Sequence, residues 1–214
     1  MDVAIINYGV SNLYSVQNIL EKNNVNSVIS NDNDVILNSK IAILPGVGAF
    51  GESMKKINYL KLDQTIMRFI DSGKPFFSIC LGMHLLFDES YEFGHNKGLG
   101  ILEGQVKLLT SNQNKKLRVP HVGWNKVFFN SDKYKKTVMK HNKNEDFMYF
   151  VHSYYVEPEK DDIKLTTTKY ENIEFCSSVN KENITAFQFH PEKSGNSGGE
   201  IFKCINNYIN NDDK

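Results

Sequence analysis

Cys80 closes the apolar run Phe76-Phe77-Ser78-Ile79, and His190 closes a second one, Phe187-Gln188-Phe189. Glu192 follows His190 by two residues. A thiol, an imidazole and a carboxylate are the parts of a covalent acyl-transfer site. The sulfur attacks a carbonyl carbon, the imidazole moves the proton, and the carboxylate holds the ring in one tautomer. Read so, Cys80 is the nucleophile, His190 the base and Glu192 the orienting group.

A free cysteine is more often a buried apolar filler, so Cys80 needs support from its surroundings. A strand ending at Ile79 and a helix starting near Leu81 force a sharp turn at Cys80, the geometry of a nucleophile elbow. Gly82 allows the tight packing such a turn needs, and Ser78 stands where the elbow usually has glycine. The start of the helix favours negative charge on the sulfur. The N–H of Leu81 is placed to meet a developing oxyanion. Pro45-Gly46-Val47-Gly48 follows another apolar run, so the N–H of Val47 or Gly48 is a candidate second oxyanion donor. Read alone, that loop is more simply an ordinary strand-to-helix turn or a phosphate-binding loop. A lone histidine is likewise more often structural. Taken together with the elbow, His190 reads as the base.

These groups need rigid elements beneath them. Val3–Ile6, Ile41–Leu44 and Phe76–Ile79 are short continuous apolar runs, the pattern of strands buried on both faces. Between them lie helical patterns. Ser11 or Asn12 caps the first, with Leu13, Val16, Ile19 and Leu20 on one side. The segment from Phe50 to Asp71 reads as one helix with Ile57, Leu60, Ile66, Phe69 and Ile70 apolar, and Leu81 to Phe87 as another. This alternation predicts an α/β layered fold with a mainly parallel central sheet, reactive residues at the carboxyl ends of its strands. From Gly98 onward shorter strands are expected, around Gln105–Leu109, Lys126–Phe129, Met148–Val151, Lys164–Thr168, Phe175–Val179 and Ile184–Phe189. They are read as antiparallel hairpins added to the sheet. A last helix from about Gly199 to Asn210 turns Ile201, Cys204, Ile205, Tyr208 and Ile209 inward. No internal repeat or linker interrupts the chain, so residues 1–214 read as one domain.

The bulk numbers agree with a globular enzyme. Of 214 residues, 40% are hydrophobic and 12% aromatic, enough for a core. Lys+Arg and Asp+Glu are both 25, and a zero net charge argues against nucleic acid as the main partner. The three cysteines, Cys80, Cys176 and Cys204, form no C-x-x-C pair, so neither a disulfide framework nor a zinc ribbon is expected. Cys176 and Cys204 read as buried fillers. The first apolar run is too short for a signal peptide, and nothing approaches a membrane span. The expected setting is the cytoplasm.

Ile79-Cys80-Leu81-Gly82-Met83, Pro45-Gly46-Val47-Gly48 and Phe189-His190-Pro191-Glu192 together resemble the class I glutamine amidotransferases, a flavodoxin-like layered fold. Asn7-Tyr8-Gly9-Val10-Ser11-Asn12-Leu13, Val119-Pro120-His121-Val122-Gly123-Trp124-Asn125, Tyr149-Phe150-Val151-His152-Ser153-Tyr154, Gln188 and Pro191-Glu192-Lys193-Ser194 narrow the resemblance to the HisH family of glutaminase subunits. The resemblance implies that Cys80 forms a glutamyl thioester with L-glutamine and that ammonia leaves with a proton from His190. It implies a HisF-type cyclase partner that receives the ammonia, in a heterodimer, with no metal or organic cofactor in the glutaminase half. The products of the pair would be imidazole glycerol phosphate and an aminoimidazole carboxamide ribotide, on the route to histidine. By the same resemblance Glu92 meets the substrate amino group, and Ser153 and Tyr154 hold its α-carboxylate through backbone N–H groups. Asn12, Trp124, Tyr149 and Lys193 match the face toward the cyclase. His84 stands where the family usually has a substrate-binding glutamine, and Ser11 where glycine is common. These departures leave two other readings: a related subunit feeding ammonia to a HisF-like partner for amination of a surface sugar, or a docking subunit with impaired catalysis.

Overall fold

A computed structural model describes residues 1–110 and 117–210. The strands are β1 Val3–Ile6, β2 Ser27–Ser30, β3 Ile41–Leu44, β4 Phe76–Ile79, β5 Phe87–Ser90, β6 Asn96–Lys97 and β7 Leu102–Leu108. They continue with β8 His121–Lys126, β9 Phe128–Phe129, β10 Phe147–His152, β11 Tyr154–Pro158, β12 Lys164–Tyr170, β13 Ile173–Lys181 and β14 Ile184–Phe187. The helices are α1 Leu13–Lys22, α2 Asn33–Asn38, α3 Phe50–Tyr59, α4 Leu62–Asp71, α5 Leu81–Leu85 and α6 Gly195–Asn210.

The main sheet runs β2-β1-β3-β4-β14-β13-β11-β7-β5-β6, with β12 and β9 attached to β13. Its first five strands are parallel. Every residue of β1, β3, β4 and β14 is buried, in keeping with near-continuous apolar runs interrupted only by Ser78 and Thr185. Successive side chains of a strand go to opposite faces. Val3, Ile5, Ile41 and Ile43 therefore join α1 and α6 in one core, with Leu13, Val16, Leu20, Phe202 and Ile205. Ala4, Ile6, Ala42 and Leu44 join α3 and α4 in the other, with Ile57, Ile66 and Phe69. The expected α/β layering, helices on both faces of a mainly parallel sheet, is what the chain forms.

Several elements differ from the expected ones. The Phe50–Asp71 run is two helices, broken at Lys61, which sits at φ +57 in the left-handed region. The helix after Cys80 stops at Leu85, and Phe87 opens a strand. The last helix starts at Gly195, and Tyr208 faces outward, its hydroxyl donating to the Lys136 carbonyl. β14 forms the expected antiparallel hairpin with β13 and, on its other side, lies parallel to β4, in register Phe187↔Ile79. β8 and β10 leave the main sheet and form a two-stranded ribbon.

Candidate functional site

The carboxyl ends of β3, β4 and β14 lie side by side, and they carry the Pro45–Gly48 loop, Cys80 and the Gln188–Glu192 segment respectively. Cys80 takes φ +53, ψ −111, a conformation that costs an L-residue of this kind on the order of 1–3 kcal/mol. The turn is held by the Cys80 N–H, which donates to the Phe187 carbonyl at 2.7 Å. Gly82 lies so close to β3 that a Cβ there would sit 2.0 Å from the Leu44 carbonyl oxygen. The expected elbow is therefore present.

His190 Nδ1 donates to Glu192 Oε1 at 2.7 Å, and both side chains are completely buried. This fixes the tautomer and leaves Nε2 free for chemistry. Nε2 makes no aligned hydrogen bond, yet the ring interacts with the Cys80 sulfur. Burial opposes charge on His190; the interactions with Cys80 and Glu192 outweigh it and push its pKa up to about 10. The carboxylate thus lies against Nδ1, and the ring lies beside the thiol.

Cys80 opens into a cavity of about 280 Å³ lined by Val47, Gly48, Leu81, His84, Glu92, Pro120, Val151, His152, Ser153 and Tyr154. All three oxyanion candidates and all four glutamine-binding candidates line this one space. Gly48 reaches it at φ +112, a backbone path that favours glycine. Glu92 accepts from the Phe50 N–H at 2.6 Å. Burial raises its carboxyl, and that N–H works the other way. A wider cleft of about 460 Å³ beside Lys56 and Tyr59 includes neither Cys80 nor His190.

The docking-face candidates separate. Trp124 is half exposed on the β8–β10 ribbon and meets Tyr149 edge-on, ring centroids 6.0 Å apart. Lys193 is exposed. Asn12 is buried, its side chain accepts no cap bond from α1, and neither of its polar atoms has a partner among the described residues. It occupies the cap position expected from sequence without the bond.

Other residues of the site carried no assigned role. The Tyr8 hydroxyl donates to the Pro45 carbonyl at 2.8 Å and so supports the glycine loop. Ser194 Oγ donates to the His190 carbonyl and accepts from the Tyr149 N–H, while the Tyr149 carbonyl accepts from the His190 N–H. The ribbon is thereby bonded to the backbone of His190. Gln188 sits two residues before His190, hence on the same face of an extended segment; that spacing was the available signal. No group of three or more His, Cys, Asp or Glu among the described residues is placed to hold a metal ion.

Three histidines are held neutral by burial. His84 and His121 are lowered to about 4, and His152 well below its ordinary value of 6.5. His152 Nδ1 donates to the Tyr154 carbonyl, and its Nε2 lies 3.0 Å from His121 Nδ1. The unfolded chain binds these protons more readily. Their stabilisation is thus complete above about pH 6.5 and lost as pH falls toward 4. His190 has the opposite sign: its contribution is present below 6.5 and lost as pH rises through about 10. Unfolding free energy measured in urea is expected to fall between pH 6.5 and 4. His84→Gln should reduce that slope by about 1.4 kcal/mol per pH unit; an unchanged slope would show that His84 does not titrate this way.

Residues 4–206 match the family described as glutamine amidotransferase class-I. The HisH subunit of imidazole glycerol phosphate synthase from Aquifex aeolicus is 44% identical over 204 residues, covering 95% of each chain. The Pyrococcus furiosus subunit of the same name is 43% identical, covering 92% of this chain and 93% of its own. The Bacillus subtilis one is 39% identical, covering 93% and 92%. Among solved structures, a glutamine amidotransferase superposes with TM-score 0.74 at 13% identity, over 98% of this chain and 100% of its own. The glutaminase domain of Trypanosoma brucei CTPS gives 0.69 at 15%, over 100% and 95%. At those identities the two structures speak for the fold. The chain belongs to the class-I glutamine amidotransferases and, within them, to the HisH subunits of imidazole glycerol phosphate synthase.

Proposed function

We propose that residues 1–214 act as one glutaminase domain that hydrolyses L-glutamine and delivers ammonia to a HisF-type cyclase, for imidazole glycerol phosphate formation in histidine biosynthesis. The observation that carries this is the strained Cys80 opening into one cavity with Val47, Gly48 and Leu81, backed by a fully buried His190–Glu192 pair. The Cys80 sulfur attacks the carboxamide carbon, and the developing oxyanion is met by backbone N–H groups of Leu81 and of Val47 or Gly48. His190 gives its proton to the departing nitrogen, so ammonia leaves and a γ-glutamyl thioester remains. Water, losing a proton to His190, then releases glutamate and restores the thiol.

Glu92 takes the substrate ammonium, and the backbone of Ser153 and Tyr154 takes its carboxylate. Trp124, Tyr149, Lys193 and Asn12 belong to the face toward the cyclase. The Ser194–His190–Tyr149 bonds link that face to the backbone that carries the imidazole. Among the described residues no helix is long and apolar enough to cross a membrane, and the pair works in the cytoplasm. Relatives at about 40% identity carry the synthase name over nearly the whole chain, which favours the histidine-pathway ribotide over a sugar as acceptor. Mixed with purified cyclase and that ribotide, the chain is expected to yield imidazole glycerol phosphate with glutamine as nitrogen donor. No product from glutamine, with product from ammonium salt, would refute the proposal.

A further inference from the structure

The register that sets Phe187 against Ile79 brings the next residue, Gln188, beside Cys80. Gln188 is completely buried, and its N–H donates to the Ser177 carbonyl, so its backbone has no freedom to move away. One end of its side chain, Nε2, lies 4.0 Å from the Cys80 sulfur. The other, Oε1, lies 2.8 Å from His84 Nε2. His84 is one turn along α5 from the elbow and is itself buried.

The chemistry of the two ends fixes the order of the chain. A thiolate only accepts hydrogen bonds, and a carboxamide has one donating and one accepting end. The reverse orientation would set the amide oxygen against a negative sulfur. With the NH₂ group toward Cys80, Oε1 can only accept, so the hydrogen of neutral His84 must be on Nε2. His84 Nδ1 is then a bare acceptor on a residue that lines the cavity. At 4.0 Å the N–H···S contact is long, so its effect is electrostatic orientation more than a tight bond.

We propose that Gln188 is a positioning residue for Cys80, directing its amide NH₂ at the sulfur, and that His84 holds that amide in the required orientation. His84 thus serves the nucleophile as well as the substrate pocket, which gives a physical role to the residue standing in place of glutamine. A glutamine at the same position would present an amide N–H to Oε1 and do the same work. The inference rests on the reading of Cys80 as the nucleophile.

The test is the pH profile of Cys80 alkylation by iodoacetamide in the full chain, read on the Cys80 peptide by mass spectrometry. That readout separates it from the buried Cys176 and Cys204. Gln188→Met keeps the volume and removes the donor. It is expected to move the profile up by about one pH unit and slow labelling about tenfold at neutral pH. His84→Gln should leave the profile in place. An unmoved profile in Gln188→Met, with a moved one in His190→Asn, overturns the inference and leaves the nucleophile standing. Labelling of Cys80 no faster than of Cys176 in the unaltered chain would instead remove the nucleophile reading. The unaltered chain supplies a second check that needs no folded variant. Its side-chain ¹⁵N spectrum at about pH 8, well above the depressed His84 titration, should show His84 protonated on Nε2; protonation on Nδ1 overturns the inference.

Discussion

Cys80→Ala, assayed with the cyclase, is expected to lose glutamine-dependent synthesis by on the order of 10⁴-fold or more, while synthesis from ammonium salt stays within about twofold. The sulfur supplies the bond to the acyl group, and nothing else in the cavity replaces it. His152 and His84 are neutral and committed to hydrogen bonds with Tyr154 and Gln188. The fold should survive. The elbow is fixed by the bond from the Cys80 N–H to the Phe187 carbonyl and by the packing of Gly82, neither of which involves the sulfur. Alanine also has the same steric preferences as cysteine at φ +53, so the substitution adds no strain. Removal of the thiol should let His190 fall back from about 10, because Cys80 is one of the two groups that raise it. Loss of the ammonium-dependent reaction as well would show that Cys80 supports the partner's chemistry or the docked geometry, against the division of labour proposed here.

Legibility followed local chemistry. β1, β3 and β4 were readable because strands buried on both faces are almost wholly apolar, Ser78 being the one polar residue among these three. The elbow was readable because Cys80 stands between such a strand and Leu81-Gly82. The break at Lys61 was hidden, since apolar positions on its two sides continue one helical stripe and the left-handed residue is not glycine or asparagine. β2 was hidden for a different reason: Ser27–Ser30 lies at the sheet edge, half buried, with no apolar run to mark it. β14 had the right residues but no signal for direction; its parallel pairing with β4 is decided in three dimensions. The candidates Cys80, His190 and Glu192 could be picked out in the sequence because Cys80 and His190 each follow an apolar run and Glu192 lies two residues on. Tyr8 and Ser194 act through long-range bonds to Pro45 and Tyr149, and no periodicity in the chain announces those.

Gly82→Ala is the second large effect, and it tests the backbone as Cys80→Ala tests the sulfur. A methyl at residue 82 would meet the Leu44 carbonyl oxygen at 2.0 Å and its carbon at 3.0 Å. Those atoms belong to β3, which is bonded to β1 on one side and β4 on the other and cannot withdraw. The start of α5 must move instead. Pro45–Gly48 must move with it, because Gly46 packs on the other side of the same contact. A Cβ on Gly46 would meet the Tyr8 hydroxyl at 2.4 Å and the Gly82 nitrogen at 2.8 Å. The elbow and the glycine loop are therefore in close contact at Gly46 and Gly82, and this closeness sets Leu81 and Gly48 around the sulfur. The expected cost is about 3 kcal/mol of stability in urea. Displacing the groups by about 1 Å should cost about 10²-fold in glutamine turnover by the complex. Gly48→Ala gives the contrast: nothing lies within 4 Å of its Cβ, so the penalty is the strain of φ +112 alone, about 1–3 kcal/mol. Full glutamine turnover in Gly82→Ala would mean that the spacing of elbow and loop does not set the oxyanion geometry.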